Sequence, residues 1–166
     1  MRGRQMSNSR KTIEGVTFRM ANVGDVPALV KLYTDFFDEA VYKDYVTFDP
    51  VRVYKHLNVM IEHGLKPHIL AFNRDAELIG FISYTLDDYF SVAPVAVMGE
   101  FYVIPRRRHS ALGRALLMMV VDLAKGDGAC AFHVPVASGI KHSRSLCNLL
   151  AKGGFDHIGY IMRRGL

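Results

Sequence analysis

A run of small and basic residues follows Pro105 and opens an apolar helical pattern: Arg108-His109-Ser110-Ala111-Leu112-Gly113-Arg114-Ala115. The first N–H groups of a helix have no partner within the helix and carry roughly half a positive charge, so they bind anions such as phosphate. Ala111 and Gly113 leave room for a diphosphate, and Arg106 to Arg108 add positive charge at the rim. The segment predicts a phosphate-binding turn; a solvated arginine-rich surface is the alternative.

A single acid lies in the β-like segment that leads into this turn. Glu100 is the only charged residue between Val95 and Ile104. Strict alternation places Glu100 on one strand face with Met98 and Tyr102. Such neighbours would exclude water from the carboxylate and raise its pKa, which makes it a better proton acceptor. We therefore expect Glu100 to act as a general base; a structural carboxylate, paired with a buried arginine or lying near a sheet opening, is the alternative.

The elements that must position these residues follow from hydrophobic periodicity and from turn residues. A polar connection, Arg74-Asp75-Ala76, predicts an antiparallel hairpin. The predicted order is βααββ followed by βαβαβ. The four predicted helices start near Asp25, after Asp49-Pro50, near Leu112 and at Ser143. The six predicted strands are Val16 to Asn22, His68 to Asn73, Glu77 to Leu86, Val95 to Ile104, Ala131 to Ala137 and Phe155 to Met162.

Composition indicates one globular α/β domain. The chain has 166 residues, of which 50% are hydrophobic and 22% are charged, typical of a single domain with a hydrophobic core. Residues 1–14 are basic and polar, so we expect a flexible tail without a secretory signal, followed by a single domain over 15–166. The densest apolar stretch, Ala115 to Val121, is too short to cross a bilayer. We expect a cytoplasmic protein without a membrane partner.

Two segments resemble the GNAT-type N-acetyltransferase superfamily. Val103-Ile104-Pro105 followed by Arg108-x-x-Ala111-x-Gly113 is similar to its acetyl-CoA-binding signature, Gln/Arg-x-x-Gly-x-Gly/Ala. The segment from Leu149 to Phe155 is similar to its closing Leu-Tyr-x-Lys-x-Gly-Phe, and the predicted element order also matches. The resemblance implies an α/β fold with a mixed central sheet of six to seven strands flanked by about four helices.

The resemblance also implies a reaction, namely transfer of an acetyl group from acetyl-CoA to a primary amine, with CoA as product and without a metal. It implies that the helix amides bind the diphosphate, that the main chain of Phe101 to Val103 pairs with the pantetheine, and that Glu100 matches a strand acid used as base. The residues expected to bind the cofactor are Phe101, Tyr102, Val103, Arg108, His109, Ser110, Ala111, Leu112, Gly113, Arg114, Ala115 and Ser143.

Three positions depart from the family pattern. Ala111 replaces the first signature glycine, a mild change if its φ is negative. Leu150 replaces a tyrosine that protonates the departing thiolate, and Ser143 replaces an asparagine at the start of the last helix. The proton donor stays open among solvent and four side chains, because a thiol is a fair leaving group. The four are Ser143, Ser145, Cys147 and Tyr160.

The remaining patterns are less specific. Cys130, Cys147 and the seven histidines have no ligand spacing, so no metal site is predicted. The net charge of +5 favours anionic ligands but is too small to indicate nucleic acid by itself. Aromatic residues along and after the first helix could line an acceptor site, with core packing as the default. We expect a homodimer because the final strand offers an edge.

The acceptor amine stays open between small molecules, peptides and proteins. Two other classes of function also stay open. One is a non-catalytic module of the same fold that binds CoA or a partner, which the Leu150 departure favours. The other, less favoured, is a ribosome-binding or RNA-binding protein that uses the arginine run and the basic tail to contact phosphates.

Overall fold

The computed structural model describes residues 13, 15–88, 92–139 and 143–159, and of Ser143 the backbone alone. The described residues form one five-stranded sheet in the order β1-β2-β3-β4-β5. Strands β1 to β4 pair antiparallel, whereas β4 and β5 are parallel. The strands are β1 (Thr17–Met20), β2 (His68–Phe72), β3 (Leu78–Asp87), β4 (Val95–Val103) and β5 (Ala131–His133). The helices are α1 (Val26–Glu39), α2 (Pro50–Glu62), α3 (Leu112–Gly126) and α4 (Ser143–Lys152).

The order of these elements agrees with the sequence prediction up to the end of α4. The prediction of six to seven strands is wrong for the described residues, which form five. Residues 155–159 form no strand, and residues 160–162 of the predicted last strand lie outside the described residues, as does most of the predicted tail. Strand β5 ends at His133 rather than at Ala137, since Pro135 has no N–H to donate to a ladder.

The predicted helix starts near Asp25 and after Asp49-Pro50 are confirmed, but only one of these two acids caps its helix. Asp49 caps α2, because its side chain accepts hydrogen bonds from the N–H groups of Val51 and Arg52 at 3.0 Å. Asp25 makes no side-chain cap to α1. Its carboxylate instead pairs with the Arg19 guanidinium at 2.6 Å and accepts a bond from the Asn22 N–H at 2.9 Å. Asp25 therefore ties β1 to the turn before α1.

Helices cover both faces of the sheet and divide the core in two. We call the cluster beneath α1 and α2 the α1-side core; among its members are Leu29, Leu32, Leu57, Leu70, Phe81 and Tyr102. We call the cluster beneath α3 the α3-side core; among its members are Ile69, Ile82, Met98, Leu112, Leu116 and Val120. Burying a side chain of this size stabilises the fold by about 1.5–3 kcal/mol. Both cores together hold the sheet that carries the candidate site.

A bulge interrupts β4 at Gly99 and Glu100. Ile82 pairs with Phe101 and Tyr84 with Met98, so two residues of β4 lie opposite Ser83. The extra residue reverses the alternation of side chains. Met98 therefore packs in the α3-side core, whereas Tyr102 lies in the α1-side core. The prediction that Glu100 shares a face with Met98 is wrong, because alternation assumes a regular strand.

A histidine is buried in the α1-side half of the fold, at the start of β2. His68 is 1% exposed. Its Nδ1 lies 2.7 Å from the Lys66 carbonyl oxygen, and its Nε2 lies 3.0 Å from the Tyr33 hydroxyl. Burial lowers the pKa of His68 to about 4 and outweighs the hydrogen bond to the Lys66 carbonyl, which acts in the opposite direction. The ring is therefore neutral in the folded protein at neutral pH.

Acid should destabilise the fold through His68. Between about pH 6.5 and pH 4 the unfolded chain binds a proton at this ring and the folded chain does not, so stability falls by up to about 1.4 kcal/mol per pH unit. The variant His68→Gln lacks this titration. We expect the difference in the free energy of unfolding between wild type and variant to shrink by about 2–3 kcal/mol from pH 7 to pH 4.5, measured by urea denaturation. The surface variant His63→Gln is the control, and a constant difference for His68→Gln would contradict the assignment.

Candidate functional site

A cleft opens where β4 and β5 diverge. Their parallel pairing ends at Val97 and His133. From Met98 to Val103, the edge of β4 that faces away from β3 has no strand partner within the described residues. The cleft beside this edge has a volume of about 290 Å³, and the N-terminus of α3 and one side of α4 form its other walls. Its lining residues are Phe101, Tyr102, Val103, Arg107, Arg108, His109, Ser110, Gly113, Arg114, Ser138, Ser145, Leu146 and Leu149.

Main-chain groups of β4 point toward this cleft. The Ile104 N–H donates to the Ile79 carbonyl oxygen at 3.2 Å, across the β3–β4 ladder. In an antiparallel pair, hydrogen-bonded positions alternate with positions whose N–H and C=O groups point away from the partner strand. Val103 and Phe101 occupy such positions opposite Gly80 and Ile82. The Val103 carbonyl accepts a bond from Arg108 Nε at 2.8 Å, on the side away from β3.

The N-terminus of α3 forms one end of the cleft. Ala111 is the N-cap, makes no side-chain cap, and has a φ of −66°, so the condition of a negative φ at this signature position is met. The left-handed residue of the turn is instead His109, with a φ of +63°. A Cβ atom on Gly113 would lie 3.4 Å from Cζ of Phe101, so glycine keeps this end of the cleft open. The Leu112 N–H donates to the Ser110 hydroxyl at 3.2 Å, and the next two residues of α3, Gly113 and Arg114, line the cleft.

The three arginines before α3 have different partners. Arg106 pairs with Glu77. Arg108 makes a bidentate pair with Glu39 at 2.7 Å and lies 5.2 Å above the Tyr102 ring. Arg107 lines the cleft, and its Nε is buried without a hydrogen-bond partner among the described residues. Arg106 therefore lies at the exposed surface, whereas Arg107 and Arg108 are half-buried, and among the described residues Arg107 has an unsatisfied buried donor.

Glu39, the last residue of α1, joins that helix to the cleft wall. The Tyr102 hydroxyl donates to Glu39 Oε1 at 2.6 Å, and Arg108 contacts both carboxylate oxygens. Burial raises the pKa of Tyr102, and the bond to Glu39 raises it further. The tyrosine is therefore a neutral donor, and the ion pair carries the charge.

Glu100 lies on the α1 side of the bulge, where three donors converge on one of its oxygens. Lys66 Nζ lies 2.6 Å from Oε2, the Tyr33 hydroxyl donates to it at 2.7 Å, and the Ser83 hydroxyl donates to it at 2.9 Å. Oε1 has no partner of this kind within the described part of the chain. The side chain is 29% exposed, so the carboxylate is only partly buried.

The predicted rise in the pKa of Glu100 is wrong. Burial by itself would raise the pKa, but the charge of Lys66 and the bonds from Lys66, Tyr33 and Ser83 lower it to about 2. Glu100 is therefore ionised at neutral pH. The paired cation is a lysine rather than the arginine named in the structural alternative.

The structure brings most of the predicted cofactor-binding residues to one cleft. Leu112 and Ala115 are buried in the fold rather than in the lining, and Ala111 is an exposed N-cap outside the lining. The side chain of Ser143 lies outside the described residues. Leu150, at the expected tyrosine position, is 7% exposed and packs in the α3-side core.

The predicted proton donors also lie partly inside and partly outside the cleft. Ser145 lines the cleft, whereas Cys147 is exposed and is not part of the lining. Tyr160, like the side chain of Ser143, lies outside the described residues. Ser145 is therefore the candidate that the described geometry places in the cleft.

Sequence reasoning missed the side chains that surround Glu100. Tyr33 is one of the aromatic residues of the first helix that could line an acceptor site, with core packing as the default, whereas Lys66 and Ser83 carried no local motif. Their positions follow from how α1, the α2–β2 loop and the sheet pack together. The sequence does indicate a role for Arg107, because this residue belongs to the arginine run before α3.

Two further findings concern all the residues that the structure describes. Among the described residues, no helix is long and apolar enough to cross a membrane. In the same part of the chain, His, Cys, Asp and Glu side chains form no group of three that could hold a metal ion.

Solved structures with a similar fold include acetyltransferases from several sources. A predicted acetyltransferase with acetyl-CoA from Clostridium acetobutylicum matches with a TM-score of 0.73 and 16% identity, over 90% of this chain and 96% of that one. An aminoglycoside acetyltransferase from an uncultured soil sample, in complex with sisomicin, matches with a TM-score of 0.69 and 13% identity, over 92% and 98%. A ribosomal-protein-alanine N-acetyltransferase from Brucella melitensis matches with a TM-score of 0.68 and 16% identity, over 90% and 99%.

At identities of 13–16%, the structural similarity to these proteins shows a common fold and nothing more specific. A search of curated protein sequences finds no match. The family comparison is more specific: the model of the Acetyltransferase (GNAT) family matches residues 27–148. That range runs from the start of α1 into α4 and includes Glu100 and the turn before α3. The chain belongs to the GNAT family of acetyltransferases.

Proposed function

We propose that this protein transfers an acetyl group from acetyl-CoA to a primary amine. The observation that carries the proposal is the cleft, in which an unpaired strand edge, the N-terminus of α3 and the buried Nε of Arg107 converge. CoA presents complementary groups: phosphates for the amides and the arginine, and a pantetheine arm whose amides can pair with a strand edge. The residues of the cleft therefore fit this group.

Each part of the cleft has its own task in binding the cofactor. The first amides of α3 and the Arg107 side chain bind phosphate oxygens. The N–H and C=O groups of Phe101 and the N–H of Val103 bind the pantetheine, while Arg108 occupies the Val103 carbonyl. When bound, acetyl-CoA supplies an activated acetyl thioester. A strand N–H near Val103 stabilises the charge that develops on the carbonyl oxygen.

The acceptor amine binds at Glu100 from the α1 side. A lysine-like amine has a pKa of about 10.4, so freeing its lone pair at pH 7 costs about 4–5 kcal/mol. Oε1 of Glu100 accepts an amine N–H and orients the nitrogen for attack. As the C–N bond forms and the C–S bond breaks, the surplus proton leaves through Glu100 to water. Ser145 or water donates a proton to the thiolate.

Aromatic rings beside Glu100 suit a cationic acceptor. Ring contacts run from Tyr102 through Phe36 and Tyr42 to Tyr45, with centroids 6.1, 6.4 and 6.1 Å apart. Such rings attract ammonium groups. The structural neighbours include enzymes named for aminoglycosides and for a ribosomal protein, which supports a small-molecule or protein amine as substrate. The cytoplasmic location and the homodimer stay predictions.

Arg107 should contribute to acetyl-CoA binding. Replacing it by methionine removes a buried charged donor, and a hydrogen bond to a charged group is worth about 1.5–3 kcal/mol. We expect Arg107→Met to weaken acetyl-CoA binding by about tenfold or more, measured by isothermal titration. Arg106→Met is the matched control, because Arg106 pairs with Glu77 outside the cleft, and it should change the affinity less than about twofold. No heat with the wild-type protein would refute the proposed function.

Glu100 should affect turnover more than cofactor binding. We expect Glu100→Gln to lower kcat by about 100-fold and to leave the Kd of acetyl-CoA within about twofold. The assay follows CoA release with spermidine, kanamycin and a peptide with a free N-terminal alanine. Glu62→Gln on the exposed face of α2 is the control. Wild-type binding without turnover on a wide amine panel would favour a non-catalytic module, and full activity of Glu100→Gln would refute its role.

Glu39 should support the cofactor side from a distance. Glu39→Gln breaks the bidentate pair that orients Arg108 toward the Val103 carbonyl. We expect the KM for acetyl-CoA to rise about three- to tenfold, since one charge-assisted contact is weakened, while the KM for the amine stays constant. Lys43→Gln, near the end of α1, is a surface control. Equal changes in both KM values would point to a general loss of structure instead.

A further inference from the structure

Lys66 contacts Glu100 from the loop between α2 and β2. Its Nζ lies 2.6 Å from Glu100 Oε2, and the lysine side chain is only 13% exposed. Nothing in the chemistry assigned so far uses this lysine. Both charges lose hydration in this partly buried pair, so the position of Lys66 beside the acceptor site calls for a specific role.

The path of the lysine depends on the bulge. A Cβ atom on Gly99 would lie 2.8 Å from Lys66 Cε and 2.5 Å from the Ser83 hydroxyl oxygen. Any other residue at position 99 would therefore displace two of the three partners of Glu100, Lys66 and Ser83. The bulge places this glycine and Glu100 together opposite Ser83. The glycine, the bulge and the lysine thus form one arrangement.

The same arrangement gives the two oxygens of the Glu100 carboxylate different surroundings. Lys66, Tyr33 and Ser83 all contact Oε2. Rotation of the carboxylate would break three contacts at once, so its orientation is defined. Oε1 is the oxygen that remains for a substrate.

We propose that Lys66 is a positioning residue for acetyl transfer, which holds Glu100 by Oε2, presents Oε1 to the acceptor amine and cancels the charge of the carboxylate. This inference rests on the proposed function. An unpaired carboxylate would stabilise the amine as a non-nucleophilic ammonium ion. A neutral Lys–Glu pair still accepts an N–H bond but favours the ammonium form much less.

The other titratable groups around Glu100 do not replace this cation. Tyr33 of α1 is buried, and burial next to Glu100 raises its pKa, so it stays neutral. His68 of β2 is neutral above about pH 4. Tyr42, in the turn after α1, has a pKa raised by burial, by Tyr45 and by Glu100. His56 of α2 acts on His68 rather than contacting the carboxylate. Lys66 therefore supplies the positive charge in contact with Glu100.

The test compares Lys66→Met with Lys66→Arg in the full chain. The first readout is the ¹³C signal of the Glu100 carboxyl, assigned with Glu100→Gln and titrated by NMR. The second is the pH dependence of kcat with the best acceptor among spermidine, kanamycin and the alanine peptide. Lys55→Met, on the exposed face of α2, controls for loss of a lysine. Lys66→Gln is a second variant if Lys66→Met does not fold.

In the wild type we expect Glu100 to stay ionised down to about pH 4. In Lys66→Met its titration should move to a higher pH, because burial then acts without the opposing cation. The kcat should develop an acid limb at that pH and fall about tenfold at pH 7, with the KM for acetyl-CoA unchanged. Lys66→Arg should restore the wild-type titration.

Failure of the role of Lys66 and failure of the proposed function give different results. A carboxyl titration and pH profile in Lys66→Met that match the wild type would overturn the role of Lys66, whatever the acceptor. Absence of wild-type turnover with every amine would overturn the proposed function, and with it any role of Lys66 in transfer, even if the NMR titration shifts. A loss of kcat that Lys66→Arg fails to restore, without a shift in titration, would indicate a merely structural residue and would also overturn the proposal.

Discussion

The structure depends on one irregularity, the bulge that places Gly99 and Glu100 opposite Ser83. A bulge adds twist and bends its strand. Before it, β4 pairs with both β3 and β5; after it, the outer edge of β4 faces the cleft. The same residue shift moves the acid from the α3 side to the α1 side. A binding cleft and an acid on separate sides of one strand are thus two results of a single extra residue.

Two ion pairs then connect the layers around this strand. Glu39 and Arg108 join the end of α1 to the turn before α3, and Lys66 and Glu100 join the α2–β2 loop to the bulge. Partly buried pairs add little net stability because desolvation offsets their attraction. Their geometric effect is larger, since each ties a charged group of the site to an element distant in sequence. Specificity of arrangement is therefore their main contribution.

The position of Leu150 explains how the chain departs from the family pattern without losing its fold. Leu150 is buried in the α3-side core and contributes packing instead of a hydroxyl group. Ser138 and Ser145 line the nearby cleft, so hydroxyl groups are still present beside α4. The match to the GNAT family over residues 27–148 includes β4, the turn before α3 and α3 itself, and it ends before Leu150.

The amino-acid sequence by itself determined the element order through α4, the start of α2 after Asp49-Pro50 and the family, because periodicity, turn residues and short motifs act over a few neighbouring residues. The tertiary structure alone decided the face and the ionisation of Glu100. Alternation along β4 predicts the wrong face, since a bulge forms through pairing with β3. The low pKa comes from Lys66, Tyr33 and Ser83, which lie far from Glu100 along the chain and meet it only after the helices pack on the sheet.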